Sequence, residues 1–174
     1  MKFATIVLAS ALFIAAGGAS AQGAGPTDPQ IAHIVVTANQ VDIDAGKLAE
    51  AKGNSKDVKA FGKQMVTDHS GVNQQAVALV TKLKVTPEDN PTSQSLKQGG
   101  QDNLKALNGL NGAAFDKAYI GHEVAYHEQV LDAIDKVLIP NAKNEELKAL
   151  IVKVRPAFVA HLEHAKTIQA QLGK

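Results

Sequence analysis

The sequence predicts an all-α protein, built as a ferritin-like four-helix bundle with one long crossover that carries a short extra helix. Apolar residues recur at three- and four-residue intervals over four long segments, which is typical of helices, and no segment alternates as a strand would. The first two segments are joined within about two residues and the last two within about four, whereas nearly thirty residues separate the two pairs. A simple up-and-down bundle has short loops throughout, so this pattern favours the ferritin-like connection.

The start of the chain has the composition of a signal peptide. Lys2 precedes an apolar run at residues 3–16, and Ala19-Ser20-Ala21 matches the small-x-small pattern at which signal peptidase cleaves. The run is shorter than the roughly 20 residues that a membrane-spanning helix needs. We therefore expect residues 1–21 to be cleaved on export, with an uncleaved anchor as the alternative, and the periplasm as the destination in a Gram-negative cell.

After residue 21 we expect a flexible lead-in at residues 22–28 and one domain at residues 29–172. The composition of the chain limits the functions that this domain can have. The 174 residues include no cysteine, which excludes disulfides, thiolate metal sites and the attachment of haem c. Lys and Arg number 18 and Asp and Glu 17, so the net charge of +1 offers no long-range attraction to nucleic acid. We expect no nucleic-acid partner.

The first pair of helices has clear boundaries. Asp28-Pro29 predicts a helix start, since a capping side chain is followed by proline at the first helical position. Gly53 is expected to end this helix, and Asn54-Ser55 to cap the second. Between the pairs, residues 92–110 are helical in composition but contain Gly99-Gly100, so we expect a short or broken helix there.

The second pair of helices is delimited by proline and by acidic residues. Asn111-Gly112 is expected to open the third long helix and Pro140 to end it. Glu145 and Glu146 suit the positive end of the last helix. Pro156 predicts a kink within that helix.

Five polar residues occupy stripe positions where apolar residues are expected, and together they represent all four long helices: Asp42, His69, Glu123, His127 and His161. A buried charge is costly without a partner, and metal sites in helical bundles are built from side chains that project inward in this way. Asp, Glu and His without a thiolate suit iron, manganese, zinc or copper. The sequence therefore predicts these five residues as candidate metal ligands.

A structural interpretation of the same residues stays open, in which each histidine pairs with a carboxylate of a neighbouring helix and only fixes the register. The Glu-x-x-His pattern of di-iron bundles is absent from the sequence. His122 and His127 are one residue too far apart for the zinc-protease motif. No nucleotide-binding loop and no nucleophile with its base is present, so we expect no catalytic or cofactor-binding residues and lean against an enzyme.

Three stretches of the chain carry a family resemblance: Asp42-x-Asp44-x-Gly46-Lys47-Leu48-Ala49, Met65-Val66-x-Asp68-His69, and Gly112-Ala113-Ala114-Phe115-Asp116-x-Ala118-Tyr119. They resemble the domain-of-unknown-function 4142 family of exported bacterial ferritin-like proteins. The resemblance covers nearly all of residues 29–172 and implies a ferritin-like bundle and export, but no reaction. Asp42 and Asp44 stand where that family shows Glu.

Two functions are consistent with the sequence. The first is an exported metal-binding or stress-protective protein that uses the five buried polar residues. The alternative is a non-catalytic bundle that binds a protein or a cell-envelope component, in which the histidine–carboxylate pairs are purely structural.

Overall fold

The computed structural model describes residues 25–173, and all secondary structure within them is helical, as the sequence predicts. The predicted signal peptide lies outside the described residues. The helices are α1 (Asp28–Lys52), α2 (Lys56–Leu83), α3 (Pro91–Asn108), α4 (Gly112–Ala133), a π turn (Ile134–Leu138), α5 (Ile139–Asn141) and α6 (Glu145–Leu172). No helix among the described residues is both long and apolar enough to cross a membrane.

The cap of α1 lies one residue earlier than predicted. Thr27, not Asp28, is the N-cap: its hydroxyl accepts from the Gln30 N–H, and the Gln30 side chain accepts from the Thr27 N–H. This reciprocal pair is a capping box. The Asp28 carboxylate is therefore free to accept from the backbone N–H groups of Lys143 and Asn144, which precede α6.

Helix α3 is continuous over 18 residues, so the expectation of a short or broken helix is wrong. Two glycines cost roughly 2 kcal/mol of helix propensity relative to alanine. That cost is offset by a capping box between Asn90 and Ser93 and by packing on α1. Gly100 is required by that packing, because a Cβ there would lie 2.8 Å from a methyl group of Val41.

The third long helix also extends further than predicted. Helical structure continues from α4 through the π turn and α5 to Asn141, one residue beyond Pro140. Proline lacks an N–H and its ring collides with the carbonyl four residues earlier. The wider π turn contains Lys136, the residue four before Pro140, whose carbonyl an ordinary α-helix would bring against the proline ring. Helix α6 continues through Pro156, and the kink there stays a prediction.

The helices pack as two antiparallel pairs, α1 with α2 and α4 with α6, with further contacts between α2 and α6 and between α1 and α4. Gly46 and Gly62 let α1 and α2 approach closely, since a Cβ on either would lie 2.7 Å from the other's carbonyl oxygen. Helix α3 runs along α1: Pro29 O accepts from the Glu88 N–H before it, and Lys52 Nζ donates to Leu107 O near its end. It returns the chain to the end at which α2 began.

Two apolar clusters fill the interior, one towards each end of the four long helices. One contains Ile31, Ile34, Val72, Leu131, Ile151 and Phe158 among others. The second contains Ala45, Phe61, Met65, Phe115, Tyr119 and Ile168 among others. Along each long helix the members of one cluster precede those of the other, and the buried Asp42, His69, Glu123, His127 and His161 lie at the boundary between the two.

Candidate metal centre

The structure brings all five sequence-predicted ligands together at this boundary. Asp42 comes from α1, His69 from α2, Glu123 and His127 from α4, and His161 from α6. All five are buried, and His161 is the most exposed of them at 2%. Four helices therefore meet at one polar cluster in the middle of the interior.

The three histidine rings form a compact triangle. The ring centroids are separated by 5.7 Å between His69 and His127, 5.2 Å between His69 and His161, and 5.6 Å between His127 and His161. The Phe158 ring packs against all three, with centroid distances of 5.0–6.2 Å. The triangle is thus closed on one side by an aromatic ring.

One nitrogen of each ring is held by an acceptor outside the triangle. His69 Nδ1–H donates to Asn39 Oδ1 at 2.7 Å, His127 Nδ1–H to the backbone oxygen of Glu123 at 3.0 Å, and His161 Nε2–H to Asp68 Oδ2 at 2.9 Å. A carbonyl or carboxylate oxygen only accepts, so each of these nitrogens carries the proton of a neutral ring.

The Asn39 amide is itself oriented by its donation to the Val35 oxygen at 2.7 Å. The oxygen of this amide therefore faces His69. The hydrogen bonds that the rings make to Asn39, Glu123 and Asp68 fix which nitrogen of each ring carries a lone pair.

The other nitrogens, His69 Nε2, His127 Nε2 and His161 Nδ1, are buried and have no hydrogen-bond partner. The three histidines together offer one ring nitrogen each within 4.8 Å of one another. Buried polar atoms are nearly always hydrogen-bonded, so three orphaned lone pairs in one place require an explanation. Metal-binding histidines show this arrangement, in which the outer nitrogen donates to a carbonyl or carboxylate and the inner one is free.

Two buried carboxylates adjoin the histidine triangle. Asp42 Oδ2 lies 3.6 Å from His69 Nε2, and Glu123 Oε2 lies 3.6 Å from His127 Nδ1. Both distances exceed a hydrogen bond, and none of the four carboxylate oxygens has a hydrogen-bond partner. Asp42, Glu123 and His127 also form a group whose ligand atoms lie within 4.8 Å of one another.

Burial keeps protons on the carboxylates and off the histidines. Burial raises the pKa of Glu123 to about 8, and burial together with the charge of Glu123 raises the pKa of Asp42 well above its usual range. Burial lowers the pKa of His69 to about 2 and that of His127 to about 4, in both cases with a contribution from neighbouring histidines. The histidines are therefore neutral at pH 7, the form that binds a metal.

Four further residues shape the site, and the periodicity of the sequence did not assign them to it. Asn39 and Asp68 hold the outer nitrogens, Phe158 closes the triangle, and the buried Tyr119 hydroxyl has no hydrogen-bond partner. The charges of Glu123 and Asp42 contribute, after burial, to the raised pKa of Tyr119. The roles of these four residues depend on side-chain orientation, which the spacing of residues along a helix does not determine.

A pocket between α2 and α6 leads from the surface to the cluster. Asp68, His69, Phe158 and His161 line it together with Lys153, whose Nζ donates to Gln75 Oε1 at 2.9 Å. Its volume of about 310 Å³ is ample for a hydrated ion. Two of the candidate ligands, His69 and His161, are thus buried but border a pocket that opens to solvent.

Comparison with known sequences gives one result. The pattern of a family described as "Domain of unknown function (DUF4142)" matches residues 14–168. No curated protein and no solved structure matches the chain significantly.

Proposed function

The chain belongs to the DUF4142 family, and from that premise we propose that it is an exported, ferritin-like bundle that binds a divalent transition-metal ion in its interior. The ligands are His69 Nε2, His127 Nε2 and His161 Nδ1, with Asp42 and Glu123 completing the set. This assignment rests on the buried polar atoms between the two apolar clusters.

The observation that carries the proposal is the orientation of the three imidazoles. If the histidines served only to fix register, each inner nitrogen would be expected to share a hydrogen bond with Asp42 or Glu123. Instead the outer nitrogens make the hydrogen bonds, and the three inner nitrogens have no partner. Of these inner nitrogens, His69 Nε2 lies 3.6 Å from Asp42 Oδ2, which is beyond hydrogen-bond distance. A cation placed among them satisfies lone pairs that no protein donor reaches.

Charge balance supports a divalent ion. Three neutral imidazoles contribute no charge, whereas ionised Asp42 and Glu123 contribute two negative charges. A divalent cation therefore leaves the buried site neutral, which removes most of the cost of holding charge in an apolar interior. Without the ion, the cost of burying a negative charge raises the pKa of Glu123, because burial favours the neutral, protonated acid.

The donor set narrows the identity of the ion. Imidazole nitrogens with carboxylate oxygens suit iron, manganese, zinc and copper(II), and the absence of thiolates argues against copper(I). Sites of this kind generally bind copper(II) most tightly, so affinity alone does not select the other three metals. The supply of each ion then decides which one occupies the site.

The overall arrangement supports the ferritin-like part of the proposal. Helix α3 runs the length of α1 and returns the chain, so that α2 and α4 begin at the same end of the molecule. One long crossover between two antiparallel pairs is the ferritin-like connection. The composition of residues 1–21 supports export. Holding a metal ion outside the cytoplasm suits a role in metal storage or in protection from metal stress.

The first test is metal content, measured by plasma mass spectrometry on protein exported by its native host and purified without chelator or affinity tag. We expect about one equivalent of iron, manganese, zinc or copper per chain. His127→Ala and His161→Ala should lose most of it while circular dichroism shows the helices intact. His164→Ala is the matched control, because His164 lies on α6 near His161 but is exposed and hydrogen-bonds Gln64.

Metal far below one equivalent, with no rise in melting temperature when any of the four ions is added, would overturn the proposal. The buried histidines would then be structural, and the alternative of a bundle that binds a protein or envelope partner would take its place.

A further inference from the structure

A second feature of the interior is an apolar cavity of about 280 Å³ beside the candidate metal centre. It lies between α1, α3, α6 and the end of α4 with its π turn, and Val72 of α2 also lines it. Ile134, Leu138 and Ile151 are buried residues of its lining, and Asn39, Tyr126 and Phe158 belong both to its wall and to the surroundings of the histidine triangle. Its mouth is marked by the exposed residues Thr92, Gln129 and Val137.

The chemistry of the lining specifies an uncharged occupant. Among the described residues, no charged side chain lines the cavity, and its polar groups are neutral amides and hydroxyls, with Thr92 and Gln129 at the mouth. An apolar cavity does not hold water well, and protein interiors are otherwise close-packed. A void of this size therefore leaves dispersion contacts unmade that an apolar molecule would supply.

The volume indicates the size of this molecule. A cavity of about 150 Å³ takes benzene, so this one has room for about eleven non-hydrogen atoms. The π turn contributes independently, because it places Ile134, Val137 and Leu138 in the wall, and π turns inside helices are frequent at functional sites.

We propose that this cavity is a binding site for an uncharged apolar molecule of about eleven non-hydrogen atoms, such as a medium-chain alcohol. Any hydroxyl or carbonyl group of this molecule would lie at the mouth, near Thr92 and Gln129. The site does not depend on a metal ion. Its burial of apolar surface should give a negative heat-capacity change on binding.

Titration calorimetry of the full chain with 1-octanol tests this, with octanoate as the charged counterpart. We expect 1-octanol to bind one molecule per chain and octanoate to bind at least about tenfold more weakly, because no cation in the lining compensates its desolvated carboxylate. Ala133→Leu should weaken 1-octanol about tenfold or more by filling the cavity. Ala125→Leu on the same helix is the control, since Ala125 is exposed and does not line the cavity.

A second variant, Thr92→Lys, tests the site without filling the cavity. Thr92 is exposed, so the change should leave the fold intact, and it adds a cation at the mouth. In this variant octanoate should bind about as tightly as 1-octanol. No heat from 1-octanol, equal binding by Ala133→Leu and Ala125→Leu, or equal binding of both ligands to the unsubstituted chain would overturn the proposal. None of these results depends on whether a metal is bound.

Discussion

Each buried histidine is oriented by a hydrogen bond on the side away from the cluster, and the acceptor decides which nitrogen is left free. Asp68 does this for His161, although its own side chain is 40% exposed at the surface pocket. A residue of this kind can be changed with little effect on folding. A substitution of Asp68 therefore tests the orientation of His161 without disturbing the core.

Asp68→Asn should lower the affinity for Zn²⁺ or Co²⁺ by roughly 10–100-fold, the usual effect of losing a carboxylate behind a metal-binding histidine. Competition with a chromophoric chelator measures the affinity, and the visible spectrum of bound Co²⁺ reports the ligand geometry. Asp44→Asn is the control, because Asp44 lies on the polar side of α1 and pairs with Lys47. An unchanged affinity in Asp68→Asn would remove His161 from the ligand set.

The pH dependence of the metal-free chain follows from the same residues. The pKa values of His69 and His127, about 2 and about 4, lie below the ordinary 6.5, so below pH 6.5 the unfolded chain binds protons that the native chain does not. Stability then falls with falling pH. The pKa of Glu123, about 8, lies above its ordinary 4.5, so the native chain keeps a proton that the unfolded chain releases, and stability falls as pH rises from about 4.5 to about 8.

Between about pH 4.5 and 6.5 the two effects oppose each other, and the two histidines outweigh the one glutamate. Melting temperatures of chelator-treated protein should therefore be highest near pH 6.5 and decline on both sides. His127→Gln should flatten the acidic side, and Glu123→Gln the alkaline side. A melting temperature that rises steadily from pH 5 to pH 8 would contradict this assignment of protons.

Much of the site could be predicted at the residue scale, and the part that could not has a definite cause. The period of a helix is set by its backbone, so stripe positions alone place Asp42 and His161 towards the interior. The choice of free nitrogen depends on side-chain torsions and on acceptors from other parts of the structure, such as Asn39. No spacing in the sequence encodes that choice.

At the scale of the elements, the close contact of α1 and α2 sets the frame in which Asp42 and His69 meet. Gly62→Ala should destabilise the protein by roughly 1–3 kcal/mol, because its Cβ would lie 2.7 Å from the Gly46 carbonyl oxygen and force the helices apart. Gly71→Ala on the same helix meets nothing within 4 Å and should stabilise by up to about 1 kcal/mol. Urea unfolding of both variants measures the contrast, and equal effects would contradict it.

Helix boundaries that depend on neighbouring residues in the sequence could be predicted. Boundaries that depend on contacts between distant parts of the chain could not. Ser55 caps α2 as expected, since its hydroxyl accepts from two N–H groups of the first turn. Helix α3 is unbroken across Gly99-Gly100 because packing on α1 outweighs propensity. Thr27 caps α1 in place of the predicted Asp28, whose carboxylate instead accepts from Lys143 and Asn144, residues 115 and 116 positions away.

At the scale of the whole molecule, each of the two helix pairs is held at its turn by an aspartate of the other pair. Asp116 of α4 accepts from the N–H groups of Asn54 and Ser55 in the α1–α2 turn, at 2.8 and 2.7 Å. Asp28 of α1 accepts from Lys143 and Asn144 ahead of α6. The two contacts lie at opposite ends of the molecule and tie the pairs to each other.

Asp116→Ala should cost about 3 kcal/mol of unfolding free energy, because it leaves two backbone donors without their charged acceptor in a buried place. Asp28→Ala should cost less, about 1 kcal/mol, since Asp28 is partly exposed. Asp102→Ala, at an exposed position on α3, serves as the control and should change stability by less than about 0.5 kcal/mol. Denaturant titration with one cooperative transition gives these values, and a cost for Asp116→Ala no larger than that of the control would refute the role of the contact.

The supply of candidate ligands from four different helices has a consequence for the stability of the folded chain. The proposed ion would join Asp42 and His161 in the native chain only, because its ligands separate on unfolding. It would therefore stabilise the fold by mass action, by roughly 4 kcal/mol when the free ion stands at about 1,000 times its dissociation constant. Exported proteins commonly obtain such cross-links from cystine, which this sequence lacks. The proposed metal cross-link would be indifferent to reductants but would be opened by acid and by chelators, so the stability of the folded chain would follow the metal content of its surroundings.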